Sequence, residues 1–140
     1  MKVRKIKNEE LENAKKIYEE AFQKSIENIK SKKNIYILTE KNQILGICKI
    51  DYIQDPFTNQ KVAYLNNICI KKEYQNKGLG TILLTKIEEI CKKSNASKIM
   101  LTSNEKRIAA NKLYQKKKYQ KNSSNLYIKE LKWKIYMIKC

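Results

Sequence analysis

Histidine is absent from this chain. With it go the Ser–His–Asp triad, the Cys–His dyad and every imidazole-ligated metal site. Glycine occurs three times, proline once and arginine only at Arg4 and Arg107. Sequence-specific readers of nucleic acid depend on bidentate arginine forks, which two distant residues do not supply. The four cysteines (Cys48, Cys69, Cys91 and Cys140) contain no C-x-x-C pair, so neither zinc nor another metal is expected. No apolar run reaches the length of a membrane span. The opening Met-Lys-Val-Arg-Lys-Ile-Lys is too charged for a secretory leader. A reducing cytoplasm is the expected compartment, with no membrane partner.

What is present is globular in balance: of 140 residues, 41% are hydrophobic and 32% charged. A chain of this length buries roughly two thirds of the surface its unfolded form exposes. No linker, repeat or low-complexity tract divides it, so residues 1–140 read as one domain. Lys+Arg number 31 against 14 Asp+Glu, a formal net charge of +17. Such a field attracts phosphates and invites a nucleic-acid-binding reading. The lysines, however, are spread from Lys2 to Lys139 with no arginine cluster and no alternation with aromatics. They read as a solvated face that would favour a phosphorylated ligand. Cys48, Cys69 and Cys91 sit inside apolar runs and read as small core residues.

Hydrophobic periodicity sets the order of elements. Val3 to Ile6 is a short strand. Asn8 is placed to cap a helix whose apolar stripe is Leu11, Ala14, Ile17, Tyr18, Ala21 and Phe22. Gln23 to Ser31 either prolongs that helix or forms a second short one. Two strands, Ile35 to Leu38 and Ile44 to Ile50, flank a polar turn and predict a hairpin. A third runs from Val62 to Ile70. Leu83, Leu84, Ile87, Ile90 and Cys91 then mark a helix beginning near Gly80. Ile99 to Leu101 is a strand, and Ile108, Ala109, Leu113 and Tyr114 form another helix face. Leu126 to Ile128 and Trp133 to Ile138 read as one long closing strand or two. The class is therefore α+β (mixed α/β): antiparallel strands feeding a βαβ crossover, with about four helices.

Two of the three glycines fall in Gln75-Asn76-Lys77-Gly78-Leu79-Gly80, between a strand and a helix. Glycine there permits positive φ and lets backbone N–H groups converge on an anion, which the helix dipole also favours. The spacing fits neither the P-loop nor the dinucleotide fingerprint. It does resemble the (Q/R)-x-x-G-x-(G/A) pyrophosphate loop of the GNAT N-acetyltransferases. Asn66-Asn67-Ile68-Cys69-Ile70 resembles that family's fourth strand. Ala110-Asn111-Lys112-Leu113-Tyr114-Gln115-Lys116-Lys117-Lys118-Tyr119 is similar to its A-x-x-(F/L)-Y-(E/Q)-K-x-G-F segment, and Ser123 to Leu131 looks like its closing strand.

The resemblance implies a GNAT-like central mixed sheet with acetyl-CoA as co-substrate and no metal. The pantetheine arm would lie between splayed fourth and fifth strands, on the backbone of Ile68, Cys69 and Ile70. An N–H of that strand would polarise the thioester carbonyl. Gln75, Asn76, Lys77, Gly78, Leu79, Gly80 and Thr81 would cradle the pyrophosphate. Asn104 and Arg107 are further candidates for the coenzyme, although Asn104 reads equally as a helix N-cap. Tyr114 matches the tyrosine that protonates the departing thiolate.

The general base stays open. Many relatives carry a carboxylate on the fourth strand, near where this chain has Tyr64, Asn66 and Asn67. Tyr64, a water held by Asn66, and Asp51 are the alternatives. Lys118 and Tyr119 also depart from the family's Gly-Phe. The implied activity is acetyl transfer to a primary amine of a small molecule, by direct attack in a ternary complex, in a monomer or homodimer. An amino-sugar phosphate is one candidate acceptor. The alternatives are an inactive acyl-CoA-binding module and a basic nucleic-acid-binding domain, the latter disfavoured by the scarcity of arginine.

Overall fold

The computed structural model describes residues 1–131. In chain order these form β1 (Lys2–Lys5), a 3-10 turn at Asn8–Glu10, α1 (Leu11–Phe22), β2 (Ile35–Glu40), β3 (Gln43–Gln54) and β4 (Lys61–Ile70). A second 3-10 turn at Lys72–Tyr74, α2 (Leu79–Lys93), β5 (Lys98–Leu101) and α3 (Ile108–Lys116) follow. The strands make one sheet in the order β1-β2-β3-β4-β5. The first three pairings are antiparallel and β4–β5 is parallel, as a helical crossover through α2 requires. This is the mixed sheet that the order of elements predicts.

Sequence chemistry accounts for the register. Lys41 and Asn42 both adopt positive φ (50° and 65°), the backbone of a tight two-residue hairpin turn, and place Glu40 opposite Gln43. β3 is apolar at successive positions from Ile44 to Cys48 because both sheet faces are covered. One face packs Leu45, Cys48, Ile50 and Leu65 against Leu83, Leu84 and Ile87 of α2 and Tyr114 of α3. The other packs Ile37, Ile44, Ile47 and Cys69 under Ala14 and Ile17 of α1. Ile37, Leu83 and Ile87 are wholly buried. Truncating any one to alanine would cost about 2–5 kcal/mol.

Three expectations need correction. α1 stops at Phe22 because Gln23 turns into the left-handed region (φ 51°), and residues 24–34 form no helix. The described residues therefore hold three α-helices. Asn8 lies inside the first 3-10 turn and does not cap it. Instead the Lys7 N–H donates to Glu10 Oε1 at 2.9 Å, and Glu10 takes the Arg4 fork at 2.8 and 2.7 Å. That pair holds the Glu10 carboxyl well below the usual range, at about 2. Leu126 to Ile128 are exposed and in no ladder, since three apolar residues find no partner strand among the described residues. Trp133 to Ile138 lie outside the described residues.

Candidate active site

The site begins where β4 outruns β5. The two strands pair from Val62↔Lys98 to Leu65↔Leu101, after which β5 ends and β4 continues to Ile70. On its other side β4 pairs through Asn66↔Lys49 and resumes at Cys69↔Ile47, so Asn67 and Ile68 together face Cys48. This is a β-bulge, and Asn67 takes its left-handed position (φ 56°), which asparagine tolerates well. Beyond it the Lys71 N–H donates to Leu45 O at 2.8 Å, toward β3. Alternation then turns the polar groups of Ile68 and Ile70 to the open side. Two side chains reach them there: Arg107 Nη2 donates to Ile68 O at 3.4 Å and Gln75 Nε2 to Ile70 O at 3.0 Å.

A cavity of about 410 Å³ lies on this open edge. Its wall includes the Ile68, Cys69 and Ile70 segment, Gln75, Asn76, Gly78, Leu79, Gly80 and Thr81, together with Arg107, Leu113 and Tyr114. Gly78 caps α2 with φ 79°, and a Cβ added to it would meet no atom of the chain within 4 Å. The space in front of it is open. Gly80 serves a different end: a Cβ there would come within 2.9 Å of Leu113 Cδ2, so the leucine side chain would have to shift to admit one. The two glycines thus let α2 start with its free N–H groups facing the cavity and let α3 pack close behind. Gln75 uses its side chain to tie the loop to β4. Lys77 is not on the cavity wall; its ammonium sits 5.6 Å over the Tyr74 ring.

A second cavity, of about 510 Å³, lies beyond Tyr114. It is walled by Phe22 at the end of α1 with Gln23 and Lys24 just beyond, by Leu65 to Ile68 of β4, and by Thr102, Ser103, Asn104, Lys106 and Arg107. Ala21, Ile68, Arg107 and Tyr114 belong to both walls, so the two spaces meet there. Asn104, expected at the coenzyme, lines this second space. Nor is it the cap of α3, which is Arg107. Asn104 Oδ1 accepts the Lys106 N–H at 2.8 Å, and its carbonyl accepts from Asn111 Nδ2 at 3.0 Å. It organises the turn that delivers Arg107.

Tyr114 is buried, with its ring edge-on to Tyr119 at 6.0 Å. Among the described residues its hydroxyl makes no hydrogen bond. Burial pushes its pKa up, and the Arg107 charge pulls the other way. Such a phenol keeps its proton at neutral pH and points no bond into the core. Lys118, where the resembled family has glycine, does adopt positive φ (71°), and the Tyr119 N–H returns to Tyr114 O at 2.9 Å. Tyr119 spends its extra hydroxyl on Glu88, at 2.8 Å.

Of the candidate bases, Tyr64 shares a hydrogen bond with Thr102 Oγ1 at 3.1 Å. Asn66, on the wall of the second cavity, donates its Nδ2 to Asp51 Oδ2 at 2.8 Å, and its Oδ1 accepts no hydrogen bond among the described residues. Asp51 in turn is paired with Lys49 at 3.2 Å. Burial raises the Cys69 thiol to about 12 and the Cys48 thiol still further, so neither is a nucleophile. Spacing did not point to Phe22, Lys24, Thr102, Ser103 or Lys106. The available signal was the end of β5: ligands collect at the carboxyl ends of parallel strands, and Thr102 and Ser103 stand there.

A family model described as the Acetyltransferase (GNAT) family matches residues 2–119. The chain belongs to the GNAT acetyltransferase family. A Bacillus subtilis relative, uncharacterized protein YxbD, is 32% identical over 84 residues, 60% of this chain and 48% of that protein. The chain spans about half the length of the curated relatives it matches. Among solved structures, an aminoglycoside acetyltransferase from a soil metagenome, in complex with sisomicin, superposes with a TM-score of 0.79. It is 14% identical, and the match covers 94% of this chain and 96% of that one. A predicted acetyltransferase from Clostridium acetobutylicum with acetyl-CoA gives 0.70 at 20% identity, over 91% and 95%. At these identities the likeness is one of fold.

Proposed function

We propose that this GNAT chain moves the acetyl group of acetyl-CoA to a primary amine of a small molecule by direct attack. The observation that carries this reading is the meeting of two cavities at Ile68 and Tyr114. The pyrophosphate rests on the N–H groups from Gly78 to Thr81, and the pantetheine arm runs along Ile68 to Ile70, replacing the weak Arg107 bond. The amine enters from the second cavity, where the Asn66 carbonyl oxygen receives one of its hydrogens. The amine lone pair attacks the thioester carbon, a C–N bond forms, and the C–S bond breaks with its electrons leaving on sulfur. Tyr114 gives its proton to the thiolate, and the proton lost by the amine returns to the phenolate through water. The products are an amide and coenzyme A. Because the one thiol lining this region, that of Cys69, is buried and neutral, no acetyl-cysteine stage is invoked.

One observation favours a second reading, an inactive acyl-CoA-binding module: no carboxylate lines the second cavity among the described residues. Thiol release from acetyl-CoA, followed with a panel of amines, separates the two. Amine-dependent release supports transfer. Tight acetyl-CoA binding with no release above background supports the module.

A further inference from the structure

The second cavity differs from the first in what its wall carries. Lys24 comes from the end of α1, and Lys106 and Arg107 from the turn before α3. Residues more than eighty positions apart in sequence thus bring three cations to one opening. Among the described residues none of the three is in an ion pair, although Lys49, Lys71 and Lys117 each find a carboxylate. Arg107 rests on the face of Phe22, 5.0 Å from its centroid, with only the 3.4 Å contact to Ile68 O. A guanidinium so placed keeps most of its donors unspent. Ser103, on the same wall, has a buried Oγ with no hydrogen-bond partner among the described residues. A buried hydroxyl without a partner is rare enough to ask for one. Asp51, reached only through Asn66, is neutralised by Lys49. The residues from Lys132 to Cys140 add no Asp or Glu side chain to the sequence.

We infer that the amine accepted here carries an anionic group, a phosphate or a carboxylate, which Lys24, Lys106 and Arg107 hold while the amine faces Tyr114. This rests on the acetyl-transfer reading and narrows it. A polycationic acceptor would meet three like charges in a partly enclosed space, where screening is weak. A neutral amine would leave all three cations and the Ser103 hydroxyl unanswered. Arginine suits the task because its planar fork takes two oxygens of a phosphate or carboxylate at once.

The test uses acceptor pairs that differ only in the anion: glucosamine 6-phosphate with glucosamine, and glycine with glycinamide. Sisomicin serves as a polycationic counter-probe. Binding is measured by calorimetry with coenzyme A present, and turnover by thiol release from acetyl-CoA. Within at least one pair the anionic amine is expected to bind and react at least tenfold better. The pair that discriminates more strongly tells phosphate from carboxylate. The preference should shrink at high salt and fall at least threefold in the Lys24→Gln, Lys106→Gln double variant, mainly through KM. Equal binding within both pairs, or sisomicin as the best acceptor, would overturn the inference while leaving acetyl transfer intact. Preferential binding of the anionic amine without thiol release would uphold the anion site and count against the transfer reading instead.

Discussion

The two cavities that meet at Tyr114 are built from different materials. The first is made of backbone: a strand edge left open where β5 ends, a glycine turn, and the N-terminus of α2. The second is made of side chains delivered by three separate elements, Lys24 after α1, Asn66 on β4, and Ser103, Lys106 and Arg107 after β5. A backbone site recognises what every reaction of one chemistry shares, in the proposed reaction a pyrophosphate and an amide-bearing arm. A side-chain site recognises what varies, and few substitutions retune it. The division predicts that damage to one half leaves the other working.

The largest expected effect lies at their junction. Tyr114→Phe keeps the ring and its packing and removes the transferable proton. Turnover should fall roughly a hundredfold, the scale of a positioned general acid. Acetyl-CoA affinity and Tm should stay near wild type, because the hydroxyl anchors no bond among the described residues. A variant that turned over normally would return Tyr114 to the core.

Next comes Gly78→Ala. The φ of 79° is strained for alanine, and the added methyl points into open space in front of the N–H groups. Acetyl-CoA affinity measured by calorimetry should drop about tenfold, near 1.4 kcal/mol. Binding of the anionic amine in the second cavity should change little. Equal losses in both cavities would break the division of labour.

Two smaller changes act outside both cavities and sharpen the contrast. Glu10→Gln removes a carboxylate whose folded pKa, about 2, lies below its unfolded value. Such a group stabilises the fold above the unfolded carboxylate range near 4.3 and loses that contribution as pH falls toward 2. The variant should be less stable by about 1 kcal/mol at pH 7, with wild type and variant converging in acid. Denaturant melts at several pH values measure this. Lys118→Gly should stabilise by about 0.5–1 kcal/mol, since it relieves a left-handed residue at the end of α3. Coenzyme affinity should be untouched in both.

The difference in material also explains how much could be read before the fold was known. Gly78 and Gly80 are conspicuous in a chain with three glycines, and their spacing after a strand points to the loop and its helix. The two apolar runs Ile35 to Leu38 and Ile44 to Ile50 about a polar turn mark the hairpin, and the resembled motif finds Tyr114. Lys24, by contrast, is one lysine among many, and only the left-handed turn at Gln23 brings it beside the end of β5. That turn also ended α1 where apolar spacing allowed a longer helix or a second one. The ion pair between Arg4 and Glu10 was equally hidden, because side chains six residues apart meet only once β1 and the first 3-10 turn are placed. Local chemistry is legible in a sequence, while encounters between distant side chains are products of topology.

The central claim, that coenzyme and acceptor occupy separate halves, is tested most directly by a titration of the 15N-labelled protein. Coenzyme A is added first, and glucosamine 6-phosphate second. Coenzyme A should shift the amides of Gly78, Leu79, Gly80 and Thr81 and those of Ile68 and Ile70. The amides of Lys24, Thr102, Ser103 and Lys106 should move only when the phosphorylated amine is added. First-step shifts centred on Lys24 and Thr102 to Lys106, with the Gly78 to Thr81 amides still, would contradict the account.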